Sequence, residues 1–465
     1  MKATPGNKHG WRILRRVLIS LAVFATLIAL FYTEEDWRGK RAWESCRREL
    51  EAKGAVFDWG TRIPPPVPDD QNIFKAPKMA RWFVGRGSND LSQRLVNPRT
   101  STISPTNAIQ TEVDARDYLA WSDQFSPDFD LIRTALQRPY ARIDCDYSRP
   151  MTVLAPNFLT VRIVVQTLAQ RTRCFLLLGE PDKALRELTL MHDLCRILEG
   201  APTGKPITLV AAMINVAVAG LYADTIADGL RMHAWHDPQL DALEQQLSEV
   251  KLAPSIAETF VDEPIFSLRT LETSSRAELV KLLAGGGNSK KMALTLKYAP
   301  QGWVDQNMAT HARLGYEFSD GLDVTNLTVS PRKTDEAGRE LQHNRAHAAP
   351  YNFLTSAFMP NWVKALQRFA RNQTSINEVQ IVCSLERYHL AHGDYPESLD
   401  ALMPQFIEKL PHDIIGGQPL QYRRIDAGKF LLYSVGWNET DDGGQAAFNK
   451  DGSEDMAKGD WVWRN

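Results

Sequence analysis

Several pairs of histidines have the spacing of metal ligands on a helix. The pairs are His233 and His236, His343 and His347, and His389 and His392. Residues three or four apart lie on one face of a helix, where two imidazoles can bind one zinc ion. No carboxylate that could act as a base lies between His343 and His347, and the segment around them has the composition of a loop. We therefore interpret these histidines as surface or packing residues.

Adjacent acidic residues indicate a second kind of chemistry. Asp262 and Glu263 could serve as the two carboxyl groups that flank the scissile bond in a glycosidase. In a chain with 56 Asp and Glu residues, however, such pairs also arise by chance. The sequence has no motif of a serine hydrolase, a zinc protease or a phosphate-binding loop. Because only the acid pair favours catalysis, an exported hydrolase acting on glycan or peptide is the alternative hypothesis and not the leading one.

Length and charge exclude several classes of protein. The chain has 465 residues, of which 43% are hydrophobic and 24% charged, so it can fold into about two or three domains. Its 54 Lys and Arg balance 56 Asp and Glu. Nucleic-acid binding needs a concentrated basic surface, which this balance argues against. The five cysteines are too few for a disulfide scaffold and show no C-x-x-C spacing. We expect buried thiols, and a single disulfide bridge is the alternative.

An uninterrupted apolar run near the N-terminus predicts a membrane anchor. Residues 17–32 carry no charge, and with Trp11, Ile13 and Leu14 they approach the ~20 residues that a helix needs to cross a bilayer. Basic residues precede the run: Lys2, Lys8, Arg12, Arg15 and Arg16. The positive-inside rule then predicts a cytoplasmic N-terminus and an exported remainder, in the periplasm of a bacterium with an inner membrane.

Two alternatives bear on the number of membrane spans. The first run ends in Leu30-Phe-Tyr32, without the small residues of a signal peptidase site, so we interpret it as an uncleaved signal anchor. A second apolar run, residues 207–223, is short, rich in alanine and followed directly by Asp224 and Asp228. We interpret it as a core helix of a helical domain and expect a single-pass protein.

The remaining pattern is mostly helical. Residues 34–60 predict a charged amphipathic helix closed by Gly54, residues 63–68 an extended proline-rich spacer, and residues 70–150 an irregular region with a helix near 115–125. From Asn157 a helical hairpin turns at Gly179 and Pro181, and its joint is similar to those of tetratricopeptide-type repeats. Further helices are predicted at 207–231, 237–250, 255–284, 300–318 and 361–391, with a loop over 320–345 and strands at 420–423, 429–435 and 460–463.

Short motifs near the C-terminus occur in an order that resembles a known family. They are Leu385-Glu-Arg-Tyr388, His392-Gly-Asp-Tyr-Pro396, Ser398-Leu-Asp-Ala-Leu402, Leu410-Pro-His-Asp413, Gly417-Gln-Pro-Leu-Gln-Tyr422, Tyr433-Ser-Val-Gly436, Asp441-Asp-Gly-Gly444 and Gly459-Asp-Trp-Val-Trp463. This order, over about residues 376–465, resembles the globular domain of the major pseudopilin of type II secretion systems. The resemblance implies an α+β module of one long helix and a small antiparallel sheet.

The chain also departs from the pseudopilin pattern. The apolar run at 17–32 lacks the glutamate of the processing and assembly motif, and more than three hundred residues separate it from the module. Filament assembly is therefore not implied. The whole chain looks like membrane-anchored proteins of Verrucomicrobia-type bacteria, a resemblance that implies no known activity.

The same resemblance implies a calcium site. In the family, the loop between the last strands binds Ca²⁺ through acidic side chains and carbonyl oxygens, which are the hard ligands this ion requires. By position the ligands would be Asn438, Asp441, Asp442 and Asp460, with Asn438 in place of an aspartate. A solvated acidic hairpin is the alternative interpretation.

These patterns predict a mainly α protein with four regions: a cytoplasmic stub and transmembrane anchor (1–33), a membrane-proximal region (34–150), an irregular helical-hairpin domain (151–350) and the pseudopilin-like module (360–465). The leading hypothesis is a non-catalytic, membrane-anchored envelope protein. It would act as a scaffold or interaction partner of other envelope proteins, linked to type II secretion or pilus-like assembly, with Ca²⁺ as the expected cofactor.

Overall fold

The protein is mainly helical, with small antiparallel sheets and one long apolar helix at the N-terminus. The computed structural model describes residues 8–96, 111–147, 155–199, 208–284, 289–347, 349–426 and 428–464, so the predicted basic residue Lys2 lies outside the described part. The helices are α1 Lys8–Ala52, α2 Met79–Phe83, α3 Asp90–Arg94, α4 Glu112–Ser122, α5 Ser126–Leu136, α6 Phe158–Leu177, α7 Pro181–Glu199, α8 Leu209–Arg231, α9 Asp237–Glu249, α10 Leu252–Thr273, α11 Arg276–Ala284, α12 Ser289–Tyr298, α13 Gln301–Ser319, α14 Pro331–Ala346, α15 Phe353–Phe358 and α16 Trp362–His392. The strands are β1 Leu322–Asp323, β2 Thr328–Val329, β3 Gln421–Asp426, β4 Lys429–Ser434, β5 Ala446–Phe448, β6 Glu454–Gly459 and β7 Trp461–Val462.

The chain divides into two compact units, each built from several segments. The first, called the anchor unit here, comprises residues 1–57, 267–316 and 339–360. The second, called the main unit, comprises residues 58–266, 317–338 and 361–465.

Helix α1 joins the predicted membrane span to the predicted amphipathic helix without a break. The predicted span (17–32) and the start of the predicted amphipathic helix (34–60) belong to one helix of 45 residues, ~68 Å long at 1.5 Å per residue. Its apolar stretch is long enough to cross a membrane and is fully exposed. Gly54 follows the helix with φ +95, the left-handed conformation that ends helices.

The C-terminal half of α1 packs into the core of the anchor unit. Cys46 and Leu50 are buried together with Leu296 of α12 and Met308 of α13. Helices α1 and α13 cross closely, because a Cβ added at Gly39 would lie 2.1 Å from the carbonyl oxygen of Gly302. Glycine is needed at this crossing since any side chain would hold the backbones apart.

The main unit contains the predicted hairpin and the second apolar run. Helices α6 and α7 pack antiparallel around the turn at Gly179, which has φ +70, and Pro181 begins α7, as predicted. Helix α8 is long and apolar enough to cross a membrane, but 67% of its apolar window is buried among its neighbours. This burial agrees with the interpretation of residues 207–223 as a core helix.

The C-terminal module has the predicted order of one long helix and then short strands. Helix α16 packs against α8 and α9, and the main sheet has the antiparallel order β3-β4-β7. Strands β5 and β6 form a separate hairpin. Gln421 pairs with Tyr433 and Ser434 with Trp461, so the predicted strand positions are confirmed.

Two predictions about the middle of the chain are wrong. The predicted loop over residues 320–345 contains the short β1–β2 hairpin and then helix α14, which begins at Pro331 and carries both Thr334 and Leu341 in buried positions. The helix was not predicted because its few buried residues are separated by many polar ones. The predicted helix over residues 255–284 is interrupted between α10 and α11, where the amide of Ser275 is capped by the Glu278 carboxylate at 2.7 Å.

Candidate functional site

The four residues of the predicted calcium site lie in one loop and beside it. Asp460, between β6 and β7, is only 1% exposed and points its carboxylate back at the loop. One oxygen, Oδ1, accepts from the amide of Asp442 at 3.2 Å. The other, Oδ2, accepts from the amides of Gly444 at 2.7 Å and Gln445 at 3.3 Å. Asp460 therefore holds the loop in shape through three backbone amides.

The other three residues extend this hydrogen-bond network toward solvent. Asn438 donates from Nδ2 to Asp442 at 2.9 Å. Asp441 accepts from the Tyr433 hydroxyl at 3.0 Å and from the amide of Gly443 at 2.9 Å. Burial, and then this hydrogen bond, raise the pKa of the Tyr433 phenol. The loop is thus closed by its own acidic side chains.

The oxygen atoms of this loop are of the kind that bind a hard cation, but its carboxylates already accept hydrogen bonds from within the protein. Carboxylate and amide oxygens are calcium ligands, and Asp441 is exposed. Across the described segments, however, no group of three or more His, Cys, Asp or Glu residues is arranged to hold a metal. Calcium binding therefore stays a prediction, and Asp460 acts in this arrangement as the acceptor that shapes the loop.

The side chains of Asp262 and Glu263 bind different partners and do not act as a pair. Asp262 is 1% exposed and forms an ion pair with Arg62 at 3.2 Å. Glu263 accepts from the amide of Leu209 at 2.9 Å and so caps the start of α8. Burial raises the pKa of Glu263. The structure thus gives each acid its own structural partner.

The paired histidines contact their immediate neighbours. The rings of His343 and His347 lie 4.3 Å apart at the end of α14, and the ring of His392 stacks on Tyr388 at 4.1 Å. The expected loop around His343 is in fact helical, but His343, His347 and His392 are exposed and contact neighbouring rings, which agrees with their interpretation as surface or packing residues.

A buried charge cluster on one face of α16 was not predicted. Arg371 binds Glu454 of β6 through two hydrogen bonds of 3.1 and 3.3 Å, and lies 3.6 Å from the carboxylate of Glu378 two turns further along the helix. Glu378 is 2% exposed, and burial raises its pKa to about 8, although Arg371 opposes the shift. Burial disfavours the charged carboxylate, so Glu378 favours its protonated form at neutral pH, while Glu454 accepts the hydrogen bonds from Arg371. Local sequence does not mark this cluster, because its partner strand comes from 83 residues further along the chain.

A second unpredicted cluster connects the end of α16 to the turn after α8. Glu386, 7% exposed, accepts from the hydroxyl of Tyr395 and lies 3.1 Å from Nδ1 of His233. The side chain of His233 is 65% exposed, and its backbone has φ +47, which is uncommon for a residue other than glycine. Glu386 therefore orients an imidazole whose other nitrogen is open to solvent.

Aromatic residues surround α1 where its apolar run ends. Trp303 contacts Phe31 edge to face at 6.3 Å and donates from its indole to Glu35 at 2.9 Å. The hydroxyl of Tyr32 donates to the carbonyl of Tyr298. Trp and Tyr are enriched at membrane–water interfaces, where one end of the ring is apolar and the other is wet. Tyr351 in turn contacts Trp303 edge to face at 6.4 Å. We call Tyr32, Tyr298, Trp303 and Tyr351 the aromatic collar.

A shallow basic groove of about 420 Å³ follows the collar along α1. Its lining comprises Trp37, Arg38, Arg41, Ala42, Ser45, Gln306 and Arg313. Arg38 is paired with Glu35 at 2.6 Å, and Arg41 lies over the ring of Trp37.

Comparison of the chain with models of protein families, with curated proteins and with solved structures finds no match.

Proposed function

We propose that this chain is a non-catalytic, membrane-anchored protein of the bacterial envelope that acts by binding other envelope proteins. The observation that supports it best is the exposed apolar stretch of α1. The same helix continues without a break into a segment that packs in the anchor unit. A soluble protein would hide such a surface, whereas a bilayer covers it. By the positive-inside rule, the basic residues before the span support a cytoplasmic N-terminus, with the chain after the span in the periplasm.

The binding role rests on the C-terminal module and its resemblance to pseudopilins. Sixteen of the 31 residues of α16 are buried within the main unit, so most of the helix surface packs inside the protein and is not free to bind a partner. The module offers a partner two exposed apolar side chains on separate strand pairs: Ile425 of β3 is 59% exposed and Phe448 of the β5–β6 hairpin is 53% exposed. We propose that these side chains contact components of a type II secretion or pilus-like machinery.

A gene deletion in the source bacterium tests the proposal. Loss of the chain should reduce secretion of exported proteins or the number of pilus-like fibres, and wild-type protein should restore it. Ile425→Asp and Phe448→Asp should fail to restore it while reaching the membrane at normal levels. Val113→Asp, at a 69% exposed position of α4, is the matched control and should restore it fully. An unchanged set of secreted proteins in the deletion strain would refute the secretion link.

One observation favours the alternative, an envelope hydrolase. His233 has the orientation of a general base, with a buried carboxylate at one nitrogen and solvent at the other. Purified full-length protein incubated with peptidoglycan and labelled polysaccharides decides between the two functions. Release of soluble fragments that disappears in His233→Gln would establish the hydrolase, and no release supports the binding role.

A further inference from the structure

Helix α12 carries apolar residues on the side that faces away from its own core. Leu296 is fully buried in the core cluster of the anchor unit. On the opposite face, Leu294 is 60% exposed and Tyr298 is 61% exposed. The two are four residues apart and therefore lie one above the other on the helix. In the described structure, this leucine and tyrosine thus form a small exposed apolar stripe on one face of a short helix.

The position of α12 relative to the anchor indicates what that environment is. Tyr298, its last residue, accepts through its carbonyl from the hydroxyl of Tyr32, the last residue of the apolar run. Five residues later, Trp303 contacts Phe31. The C-terminal end of α12, which carries Tyr298, therefore lies at the level where the apolar run ends.

The charges of α12 match the same environment. Lys297 is exposed beside Tyr298, with its ammonium 5.2 Å from the centre of that ring. The sequence places Lys290 and Lys291 four and three residues before Leu294. Lysine beside leucine and tyrosine on one helix face is the pattern of helices that lie at the surface of an anionic bilayer.

We propose that α12 is an interfacial helix that rests on the membrane beside the anchor, with Leu294 and Tyr298 in the acyl boundary and Lys297 at the phosphates of anionic lipids. The occupant is the lipid bilayer itself. This second contact restricts how the anchor unit can tilt on α1, because it fixes the unit at two points instead of one. The inference rests on the proposed membrane span of α1.

Photo-crosslinking of the full-length protein in liposomes of phosphatidylethanolamine and phosphatidylglycerol tests it. Benzoylphenylalanine is placed in separate variants at Leu27 in the span, at Leu294, and at Glu51, which lies on α1 about 28 Å beyond Tyr32 at 1.5 Å per residue. Mass spectrometry then measures lipid adducts. We expect adducts at positions 27 and 294, with at least tenfold less at position 51.

The outcomes separate the two proposals. No lipid adduct at position 27 would show that the span of the proposed function is wrong. Lipid at 27 but not at 294, or a protein adduct in place of lipid at 294, would overturn the interfacial helix and leave the span intact. Adding Lys297→Glu should lower the adduct yield at 294 several-fold in these vesicles and not in pure phosphatidylcholine. An unchanged yield in both would refute the role of Lys297.

Discussion

The hydroxyl of Tyr395 donates a hydrogen bond to the buried carboxylate of Glu386, nine residues earlier in the chain. The second oxygen of that carboxylate lies 3.1 Å from Nδ1 of His233, in the turn that follows α8. Burial, and then the bond to Glu386, raise the pKa of Tyr395 above its ordinary value. One carboxylate thus connects the C-terminal module to a helix turn more than 150 residues away in sequence.

Removing the Tyr395 hydroxyl should weaken this connection measurably. In Tyr395→Phe the buried carboxylate loses a donor, which we expect to lower the free energy of unfolding by about 1–3 kcal/mol. Tyr422→Phe is the control, because its hydroxyl donates to a neutral carbonyl, that of Pro396, at 2.8 Å. Chemical denaturation of both variants measures the difference. Equal losses would mean that the charge of Glu386 adds nothing to the bond.

The charge cluster of α16 makes stability depend on pH. Glu378 has a pKa of about 8 in the folded protein against an ordinary 4.5, so the folded state holds the proton more tightly. Its contribution to stability is therefore complete below pH ~4.5 and is lost as the pH rises through about 8. In Glu378→Gln that loss cannot occur, and the variant should exceed the wild type by about 1 kcal/mol or more at pH 8.5.

Melting temperatures of the two proteins between pH 5 and 9 measure this effect, because their difference isolates Glu378 from other titrating groups. Glu454→Gln is the contrasting variant. It removes the carboxylate that binds Arg371 twice, and we expect it to be destabilised by about 1–3 kcal/mol at neutral pH. Parallel melting curves for wild type and Glu378→Gln across this range would contradict the raised pKa.

The sequence was informative where a pattern is local. The apolar run of α1, the turn at Gly179 and the strands around Tyr433 each follow from residues within about twenty positions. Helix α14 was missed because its buried residues are few among many charges. The predicted loop residues do meet, since Asn438, Asp442 and Asp460 are linked by hydrogen bonds.

The unpredicted features depend on partners that are distant in sequence. Glu454 reaches Arg371 across 83 residues, and Gly302 meets Gly39 across more than 260. A charged residue in a helical pattern is normally solvated, so nothing local marks Glu378 as buried. Tertiary contacts of this kind are set by how helices pack, which periodicity alone does not determine.

The crossing of α1 and α13 gives a sharp test of how the anchor unit is held. A Cβ at Gly302 would lie 1.8 Å from the carbonyl oxygen of Glu35, so Gly302→Ala must push the helices apart. We expect a loss of about 2–4 kcal/mol, in the range of overpacked cores. Gly428→Ala is the control, since its added carbon would meet nothing closer than 3.9 Å. Denaturation of the full chain in detergent should show a large effect only for Gly302→Ala, and similar curves would refute the close crossing.

The acidic loop allows its structural and metal-binding roles to be separated. Asp460→Ala leaves three loop amides without their acceptor and should lower stability by about 2–3 kcal/mol with or without metal. Asp441→Ala removes an exposed carboxylate and should change stability little in EDTA. If the loop binds Ca²⁺ as predicted, millimolar Ca²⁺ raises the melting temperature of the wild type but not of Asp441→Ala, because a ligand bound only to the folded state stabilises it. Mg²⁺ is the control ion. Identical wild-type curves in Ca²⁺ and in EDTA would refute calcium binding and leave Asp460 with its structural role alone.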